Sequence, residues 1–202
     1  MSTSPSYELI YFNVPGLGEA SRIILNLAGA KWKETNPEWP AFKPSTPFER
    51  LPVLIERSGG TEDFVLSESE VIERYLARKY GFISSDDPKL AAKQEQVRAQ
   101  FSDARALATE VFHHKNETHR QRLEDQIKLI VRKHEELLEK NGSNGHYFGD
   151  KLTYPDIVAY VIINSLRIYK FDVHVNEENA PRLNKLYKLV EKAIAEVAAK
   201  KQ

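Results

Sequence analysis

The sequence predicts a small α/β domain followed by an all-helical domain. Two observations support this fold class. Up to about residue 80, short β-branched runs alternate with helical patterns in the order βαβ and then ββα. From Pro88 onward, every periodic apolar segment has the spacing of a helix. A polar run at 84–87 separates the two parts, so we predict domains at 1–81 and 89–202 with a linker at 82–88.

The composition excludes several classes of protein. The chain has 202 residues, with 29 Lys and Arg against 29 Asp and Glu, and no cysteine. Balanced charge favours neither nucleic acid nor an acidic membrane as a partner. Without cysteine there is no disulfide, cysteine metal ligand or cysteine nucleophile, so thiol chemistry needs a thiol on the substrate. No apolar run could span a bilayer and the first six residues do not resemble a signal peptide, so we expect a cytoplasmic protein.

The first elements of the α/β domain are a strand, a helix and a second strand. Tyr7–Phe12 has the composition of a strand and is followed by a turn. Apolar residues at helical spacing begin after Gly18 and stop near Gly29. Lys31–Thr35 is a weaker second strand. The segment 36–50 contains four prolines and therefore predicts a loop.

Residues 51–76 predict a strand, a turn, a strand and a helix. Leu51–Ile55 and Phe64–Leu66 are apolar runs, and the glycines between them can supply the positive φ of a tight turn. Pro52 stands at the first position of its strand, where a missing N–H is tolerated and a cis bond is accessible.

The helix that follows has its own start signals. Ser67 and Glu70 have the spacing of a capping box, ahead of an apolar stripe that includes Val71 and Leu76. Ser69 lies at the N-terminus of the helix, where free N–H groups and the helix dipole favour a carboxylate. A strand edge beside a helix N-terminus suits a small peptide with a free acid. Taken alone, a hairpin followed by an ordinary capped helix explains the pattern equally well.

Four helices are predicted in the second domain, at Pro88–Lys115, Thr118–Lys140, Thr153–Tyr169 and Leu183–Val197. The third has apolar residues all around its axis, which predicts a buried core helix. Thr153 and Asp156 have the spacing of an N-cap box, and we assign them to folding rather than to catalysis.

Five short motifs occur in an order that matches a known family. They are Tyr11-Phe12, Gly16 with Gly18-Glu19, Trp39 with Lys43, Leu51-Pro52-Val53-Leu54, and Glu68-Ser69 with Val71-Ile72 and Arg74-Tyr75-Leu76. Over roughly residues 7 to 190, the chain resembles the cytosolic glutathione transferases, most closely the sigma class. The resemblance implies a thioredoxin-like first domain that binds glutathione. It also implies a role in detoxification and a homodimer, in which the small domain of one subunit meets the long helices of the other.

The resemblance makes Tyr11 the catalytic residue. The thiol of glutathione is similar to free cysteine, with a pKa of about 8.5, so little of it is thiolate at neutral pH. A tyrosine O–H donated to the sulfur stabilises the thiolate, and lowering the pKa by about two units requires roughly 2.7 kcal/mol. Tyr11 lies where the first strand ends, which is where α/β sheets place ligands. On the sequence alone, packing is the commoner role for one of nine tyrosines.

Glutathione is the implied co-substrate. Besides Tyr11, the matched binding positions are Trp39, Lys43, Leu51, Pro52, Glu68, Ser69 and, from the partner subunit, Asp103. Leu51 acts through its backbone, and Lys43 meets the glycyl carboxylate as a point charge. Glu68 faces the γ-glutamyl amine and Ser69 the γ-glutamyl carboxylate. For Lys43 a solvated loop lysine is an equally good interpretation.

The electrophile pocket is less clear from the sequence than the glutathione site. Its candidate residues are Phe12, Val14, Arg105, Ala108 and Tyr154. The electrophilic substrate is left open. The six histidines have no metal-ligand spacing, so we expect no metal site.

Two positions depart from the sigma-class pattern and keep an alternative function open. Leu17 stands where many members have an arginine that helps to hold the thiolate, and Glu68 stands where many have glutamine. The leading function is conjugation of glutathione to hydrophobic electrophiles, with isomerisation or reduction of a lipid-derived substrate left open. The alternative is a catalytically weak binding or structural protein, like the ligandins and lens crystallins. A third function, an interaction module like the transferase-like domain of an elongation-factor subunit, is disfavoured because no basic or proline-rich extension follows Gln202.

Overall fold

The computed structural model describes residues 5–59, 62–114 and 117–200; within these ranges, the side chains of 103–104, 106–110, 112–114 and 117 are not described. The chain divides into two compact units. The first runs to Gly81 and includes the segment that begins at Ile194, and the second is Phe82–Ala193. The predicted linker at 82–88 stays a prediction.

A four-stranded mixed sheet with helices forms the first unit and confirms the predicted order of elements. These elements are β1 (Ser6–Ile10), α1 (Glu19–Leu27), β2 (Lys31–Thr35), β3 (Val53–Arg57), β4 (Phe64–Ser67) and α2 (Ser69–Lys79). The strands lie in the order β2-β1-β3-β4. β1 is parallel to β2 and antiparallel to β3, and β3 is antiparallel to β4.

The apolar residues of these elements form the core of the first unit. Leu9 of β1, Leu54 of β3 and Ile24 of α1 are completely buried, as are Ile72 and Leu76 of α2. α1 packs against α2. Each such side chain stabilises the fold by about 1.5–3 kcal/mol relative to exposure.

The register of the sheet brings three connections to one end. Ile10, the last residue of β1, lies opposite both Thr35, the last of β2, and Val53, the first of β3. Val53 in turn lies opposite Ser67, the last residue of β4. The segment after β1, both ends of the loop that joins β2 to β3, and the segment after β4 therefore lie at the same end of the sheet. These three segments carry most of the residues that the sequence analysis assigns to glutathione binding.

The start of α2 corrects the predicted capping box. Ser67 is the last residue of β4, and its buried hydroxyl has no hydrogen-bond partner among the described residues. Glu68 is the N-cap instead, with φ of 69° and no capping side-chain bond. Strand pairing with Val53 holds Ser67 in the sheet, so the chain reverses at Glu68 and the Ser67 side chain does not cap the helix.

A buried carboxylate fixes the far end of α2 to the sheet. Glu56 of β3 accepts hydrogen bonds from the Tyr75 hydroxyl and the Lys79 ammonium of α2, and from Ser58. Burial raises the pKa of Glu56, but these hydrogen bonds outweigh burial and leave the pKa below its ordinary value. The carboxylate is therefore ionised at neutral pH, and it ties α2 to β3.

The second unit is helical, as predicted. Its helices are α3 (Pro88–His114), α4 (Glu117–Lys140), α5 (Tyr154–Ile168) and α6 (Pro181–Ala199), the last of which continues past the boundary at Ile194. α3 packs against α4 and α5. The first six residues of α5 are buried, but Ile168 at its end is exposed, so the prediction that apolar residues are buried all around this helix is wrong in its last turn. Within the described ranges, no helix is both long and apolar enough to cross a bilayer.

The predicted N-cap box of α5 is present. Thr153 and Asp156 exchange capping hydrogen bonds, and Asp156 also accepts the backbone N–H of Tyr147 at 2.9 Å. The Tyr147 hydroxyl lies 2.6 Å from Nδ1 of His134 on α4, and both residues are buried. We assign the bridging proton to Tyr147, because its hydroxyl has no other acceptor among the described residues.

Candidate active site

Tyr11 lies immediately after β1 and is 7% exposed. Its backbone N–H donates to the carbonyl of Thr35 at 3.1 Å, which continues the pairing with β2 by one residue. Its hydroxyl oxygen accepts the backbone N–H of Leu17 at 2.9 Å. Among the described residues no group accepts the hydroxyl proton of Tyr11. The hydroxyl can therefore still donate one hydrogen bond to a ligand.

Two glycines make room for the tyrosine ring. A Cβ on Gly16 would lie 2.6 Å from the Tyr11 hydroxyl oxygen, and a Cβ on Gly18 would lie 2.8 Å from Cδ1 of the ring. Gly16 also has a φ of 41°, a backbone conformation that residues other than glycine rarely adopt. The glycines at five and seven residues after Tyr11 are thus explained by contact with the ring.

Arg22 of α1 is a residue of this site that the sequence analysis missed. Its guanidinium donates to three backbone carbonyls and two carboxylates, those of Phe12, Val14, Pro15, Glu19 and Glu34. Its Cζ lies 5.6 Å from the centroid of the Tyr11 ring. Burial lowers the pKa of Arg22, but the hydrogen bonds to Glu34 and Glu19 outweigh burial and raise the pKa above its ordinary value.

Phe12 and the loop after β2 form an aromatic edge beside Tyr11. The Phe12 ring lies 5.6 Å from the Tyr11 ring and makes an edge contact of 5.8 Å with Trp39. Trp39 precedes Pro40 through a cis peptide bond. Val14 is exposed in the turn. Phe12 and Trp39 are therefore brought together, as the sequence analysis requires if both lie near the ligand.

Comparisons with known proteins show the family of this chain. The family model described as "Glutathione S-transferase, N-terminal domain" matches residues 7–78, and the C-terminal domain model matches residues 102–199. Glutathione S-transferase 1 of Ascaris suum is 34% identical over 164 residues, which are 76% of this chain and 77% of that protein. The chain belongs to the glutathione S-transferase family of enzymes.

Two further relatives cover nearly the whole chain. A solved glutathione S-transferase of Caenorhabditis elegans has a TM-score of 0.80 and 29% identity, over 98% of this chain and 99% of that one. The hematopoietic prostaglandin D synthase of Gallus gallus is 29% identical over 202 residues, 96% of this chain and 94% of that protein. Enzymes of this family use glutathione as a co-substrate and bind electrophiles, so glutathione conjugation is the general activity of this transferase.

The start of α2 has the features that favour a carboxylate at a helix N-terminus. Ser69 and Glu70 occupy the first turn, and the first intrahelical acceptor, the Glu68 carbonyl, binds the N–H groups of Val71 and Ile72. N–H groups earlier than these have no carbonyl within the helix, and the dipole adds positive potential. Ser69 is buried and Glu68 is exposed. Both follow β4 at the end of the sheet where Tyr11 follows β1.

Leu51 and Pro52 precede β3 at this same end of the sheet. Their peptide bond is cis, as the sequence analysis allowed, and Pro52 is buried. Lys43 begins a single 3₁₀ turn, Lys43–Ser45, and its ammonium lies 3.6 Å from the Glu49 carboxylate. Lys43 is thus paired within the loop in this structure, and its role in glutathione binding stays a prediction.

The remaining predicted residues belong to the second unit. Tyr154 is 1% exposed, and its hydroxyl accepts a hydrogen bond from Arg98 at 3.1 Å, an arrangement typical of a core residue. Arg105 is partly buried on α3. The side chains of Asp103 and Ala108 lie outside the described residues. The electrophile-pocket roles of Tyr154, Arg105 and Ala108, and the partner role of Asp103, stay predictions. Among the described side chains, no group of three or more His, Cys, Asp or Glu is arranged to hold a metal ion.

Proposed function

We propose that this transferase activates the thiol of glutathione with the hydroxyl of Tyr11 and conjugates it to hydrophobic electrophiles. The observation that carries the proposal is the direction of the hydrogen bond at Tyr11. Because the oxygen accepts the N–H of Leu17, the hydroxyl proton is left to point at an incoming sulfur. Donation from a backbone N–H also makes the hydroxyl a stronger donor, since hydrogen bonds in a chain polarise one another.

The chemical step needs no further group from the protein than this donor. The glutathione thiol loses its proton to solvent, and the hydroxyl of Tyr11 stabilises the thiolate without losing its own proton. The sulfur lone pair then forms a bond to the electrophilic carbon. A leaving group departs with its bonding electrons or, where the electrophile is a double bond, the adjacent carbon takes a proton from solvent.

Glutathione is held along the end of the sheet where the three connections meet. Its γ-glutamyl carboxylate binds at the start of α2 through Ser69, and Glu68 faces the amine. Its peptide pairs with the backbone at Leu51 in the manner of an added strand. Trp39 and Lys43 face the glycyl end, and Asp103 comes from the partner subunit. Lys43 then has to exchange Glu49 for the glycyl carboxylate.

The electrophile binds next to Tyr11 against Phe12 and Val14, with Arg105, Ala108 and Tyr154 as further candidates. The similarity to a prostaglandin D synthase supports a sigma-like class and leaves isomerisation of a lipid-derived substrate as a second reaction type to assay. A cytosolic location and a role in detoxification are parts of the same proposal.

The protein acts as a homodimer in this proposal. Phe48 is 65% exposed in the first unit. The second unit has a cavity of about 560 Å³ between α3 and α4, with Val97, Leu137 and Phe148 among its lining residues. In the proposed dimer, the phenyl ring of Phe48 from one copy enters this cavity of the other against its apolar residues, although the lining also includes Lys93, Gln96 and Lys133. Phe48→Ala should shift the mass in solution from dimer towards monomer, while Val173→Ala, which truncates a side chain of equal exposure, should not. A monomeric mass for the wild-type protein at micromolar concentration contradicts the homodimer.

The alternative function is a catalytically weak binding or structural protein. Leu17 favours it, because it supplies no guanidinium for the thiolate, and the donors of the nearby Arg22 are all engaged. Retention on immobilised glutathione without conjugating activity would select this alternative.

The experiment that tests the proposal is conjugation of glutathione to a general electrophilic dye. Tyr11→Phe removes one oxygen and keeps the ring, so glutathione affinity should change little while turnover at neutral pH falls roughly ten- to a hundredfold. Raising the pH should restore much of the rate, which a folding defect would not do. Equal turnover by wild type and Tyr11→Phe refutes the role of Tyr11.

A further inference from the structure

Arg22 has an unusually complete set of partners for a side chain outside the family motifs quoted above. Its guanidinium has five N–H groups, and all five are engaged. Nη1 donates to the carbonyls of Val14 and Pro15 at 2.9 and 3.0 Å, and Nη2 donates to the carbonyl of Phe12 at 3.0 Å. The Arg22 side chain is only 12% exposed.

The carboxylates around Arg22 decide how it can act. Nε donates to Glu34 at 2.9 Å, and Nη1 donates to Glu19 at 2.9 Å. Two carboxylates against one guanidinium leave the cluster net negative. A net negative cluster does not favour a thiolate nearby, and a guanidinium without a free donor cannot bind the sulfur. Arg22 is therefore unable to replace the arginine that many family members have at the position of Leu17.

The three carbonyls give Arg22 a different role. They belong to the turn that follows Tyr11, and the same turn continues through Gly16 to Leu17. Leu17 supplies the N–H that binds the Tyr11 hydroxyl, and Gly16 lies against that hydroxyl. Arg22 thus holds the first half of a turn whose second half determines where the hydroxyl points.

We infer that Arg22 is a positioning residue for thiol activation. It fixes the turn at 12–17 so that the Leu17 N–H stays on the Tyr11 oxygen and the hydroxyl proton faces the sulfur. The inference rests on the proposed role of Tyr11. It differs from a general structural role in one measurable way, because the effect of Arg22 on the thiol has to pass through the Tyr11 hydroxyl.

The test is a double-mutant cycle read by the pKa of the glutathione thiol in the complex, measured by ultraviolet thiolate absorbance against pH. Arg22→Gln should raise this pKa by up to about one unit and lower turnover at neutral pH roughly three- to tenfold. The double variant with Tyr11→Phe should match Tyr11→Phe alone within about twofold. If the loss of turnover in the double variant equals the product of the two single-variant losses, the inference is overturned, because Arg22 would then act independently of Tyr11.

Two conservative variants and one control distinguish an effect of Arg22 on the position of the turn from an effect of its charge. Arg22→Lys keeps the charge but not the planar fork, so it should lose as much as Arg22→Gln; full activity in Arg22→Lys overturns the inference. If Arg22→Gln does not fold, Glu34→Gln can take its place in the double-mutant cycle. Glu34 is more exposed than Arg22, and its substitution weakens the same cluster. Arg57→Gln is the matched control, because Arg57 pairs with two carboxylates in the same unit but contacts no part of the turn.

The results also separate failure of this inference from failure of the proposed function. If Tyr11→Phe shifts the thiol titration and both Arg22→Gln and Glu34→Gln leave it unchanged, only the role of Arg22 is overturned. If Tyr11→Phe itself leaves the titration unchanged, the proposed function fails and the role of Arg22 fails with it.

Discussion

Tyr11 and Tyr147 are both buried tyrosines with a hydrogen-bonded hydroxyl, but the direction of the bond differs. Tyr11 in the first unit accepts a backbone N–H and keeps its proton available. Tyr147 in the second unit is 3% exposed, and we assign its hydroxyl as the donor to Nδ1 of His134. Burial, with the nearby charges of Asp156 and Glu135, raises the pKa of Tyr147 well above its ordinary value. The comparison teaches that two equally buried tyrosines can differ in whether the hydroxyl proton has an acceptor among the described residues, and only a proton without one is available to a ligand.

The surroundings of the two rings differ in the same sense. Tyr11 is enclosed by glycines at 16 and 18 and by a turn held by Arg22, all on loops at the end of the sheet. Tyr147 packs at 5.4 Å against the His134 ring, next to the N-cap residue pair of α5. The first arrangement leaves the hydroxyl proton of Tyr11 without an acceptor among the described residues, and the second joins secondary-structure elements. We therefore expect substitutions around Tyr11 to change activity and substitutions around Tyr147 to change stability.

The largest expected effect comes from crowding the Tyr11 hydroxyl. Gly16→Ala places a methyl group 2.6 Å from the oxygen, so the hydroxyl has to move and turnover should fall by about ten- to a hundredfold, as in Tyr11→Phe. Gly149→Ala is the matched control, because Gly149 also has a positive φ but its Cβ would meet no atom within 4 Å. It should lose stability and keep its turnover per folded molecule. Full activity in Gly16→Ala would contradict the account of the turn.

Tyr147→Phe should lower stability and leave the thiol chemistry unchanged. It deprives the buried Nδ1 of His134 of its donor, and an unsatisfied buried acceptor costs about 1–3 kcal/mol. Urea unfolding measures the loss of stability, and the pKa of the thiol of bound glutathione checks that the thiol chemistry is unaffected. An altered thiolate titration would remove the distinction between the two tyrosines.

Ser69→Ala tests whether glutathione binding can be weakened without touching Tyr11. Loss of one hydrogen bond to a charged group should weaken binding by about 1–2 kcal/mol, measured by calorimetry. The thiol pKa in the remaining complex should be the same as in wild type. The fold should stay intact, because the N-cap of α2 is Glu68 rather than Ser69. Unchanged affinity would remove Ser69 from the site.

From pH 6.5 down to about 4.5, the pH dependence of stability should come from His134 in the second unit, while the pH dependence of activity near neutral pH should come from the first unit. At lower pH, Glu8 and Glu56 of the first unit also contribute to stability, because hydrogen bonds lower their pKa values in the folded protein. Burial lowers the pKa of His134 from 6.5 to about 4. As the pH falls below 6.5, the unfolded chain takes up a proton that the folded chain does not. The free energy of unfolding should therefore fall by at most about 1.4 kcal/mol per pH unit until about pH 4, with no contribution from this group above 6.5. His134→Phe should flatten the slope in this window; an unchanged slope would assign it to other groups.

Local patterns predicted most of the fold. The N-cap box of Thr153 and Asp156 is correct, because it depends on neighbouring residues. The weak strand at Lys31–Thr35 is also correct, although the strand it pairs with, β1, lies well before it in the sequence. The capping box at Ser67 is wrong, because pairing with Val53 in a different strand takes Ser67 into the sheet. A three-residue spacing carries no information about that pairing.

The site was predictable where side chains form a motif and unpredictable where the backbone is the partner. The spacing of Gly16 and Gly18 after Tyr11 was visible in the sequence. The structure explains it, because a side chain at either glycine would collide with the Tyr11 side chain. Arg22 was missed because three of its partners are carbonyls, which every residue has. The direction of the Tyr11 hydrogen bond depends on the fold of the turn and has no sequence signature.

The most direct test of the difference between Tyr11 and Tyr147 is thiolate absorbance of the glutathione complex against pH, for wild type, Tyr11→Phe and Tyr147→Phe. Tyr11→Phe should raise the pKa of the bound thiol by about one to two units, because the donor to the sulfur is gone. Tyr147→Phe should titrate like wild type. Identical titrations for wild type and Tyr11→Phe would contradict the central claim.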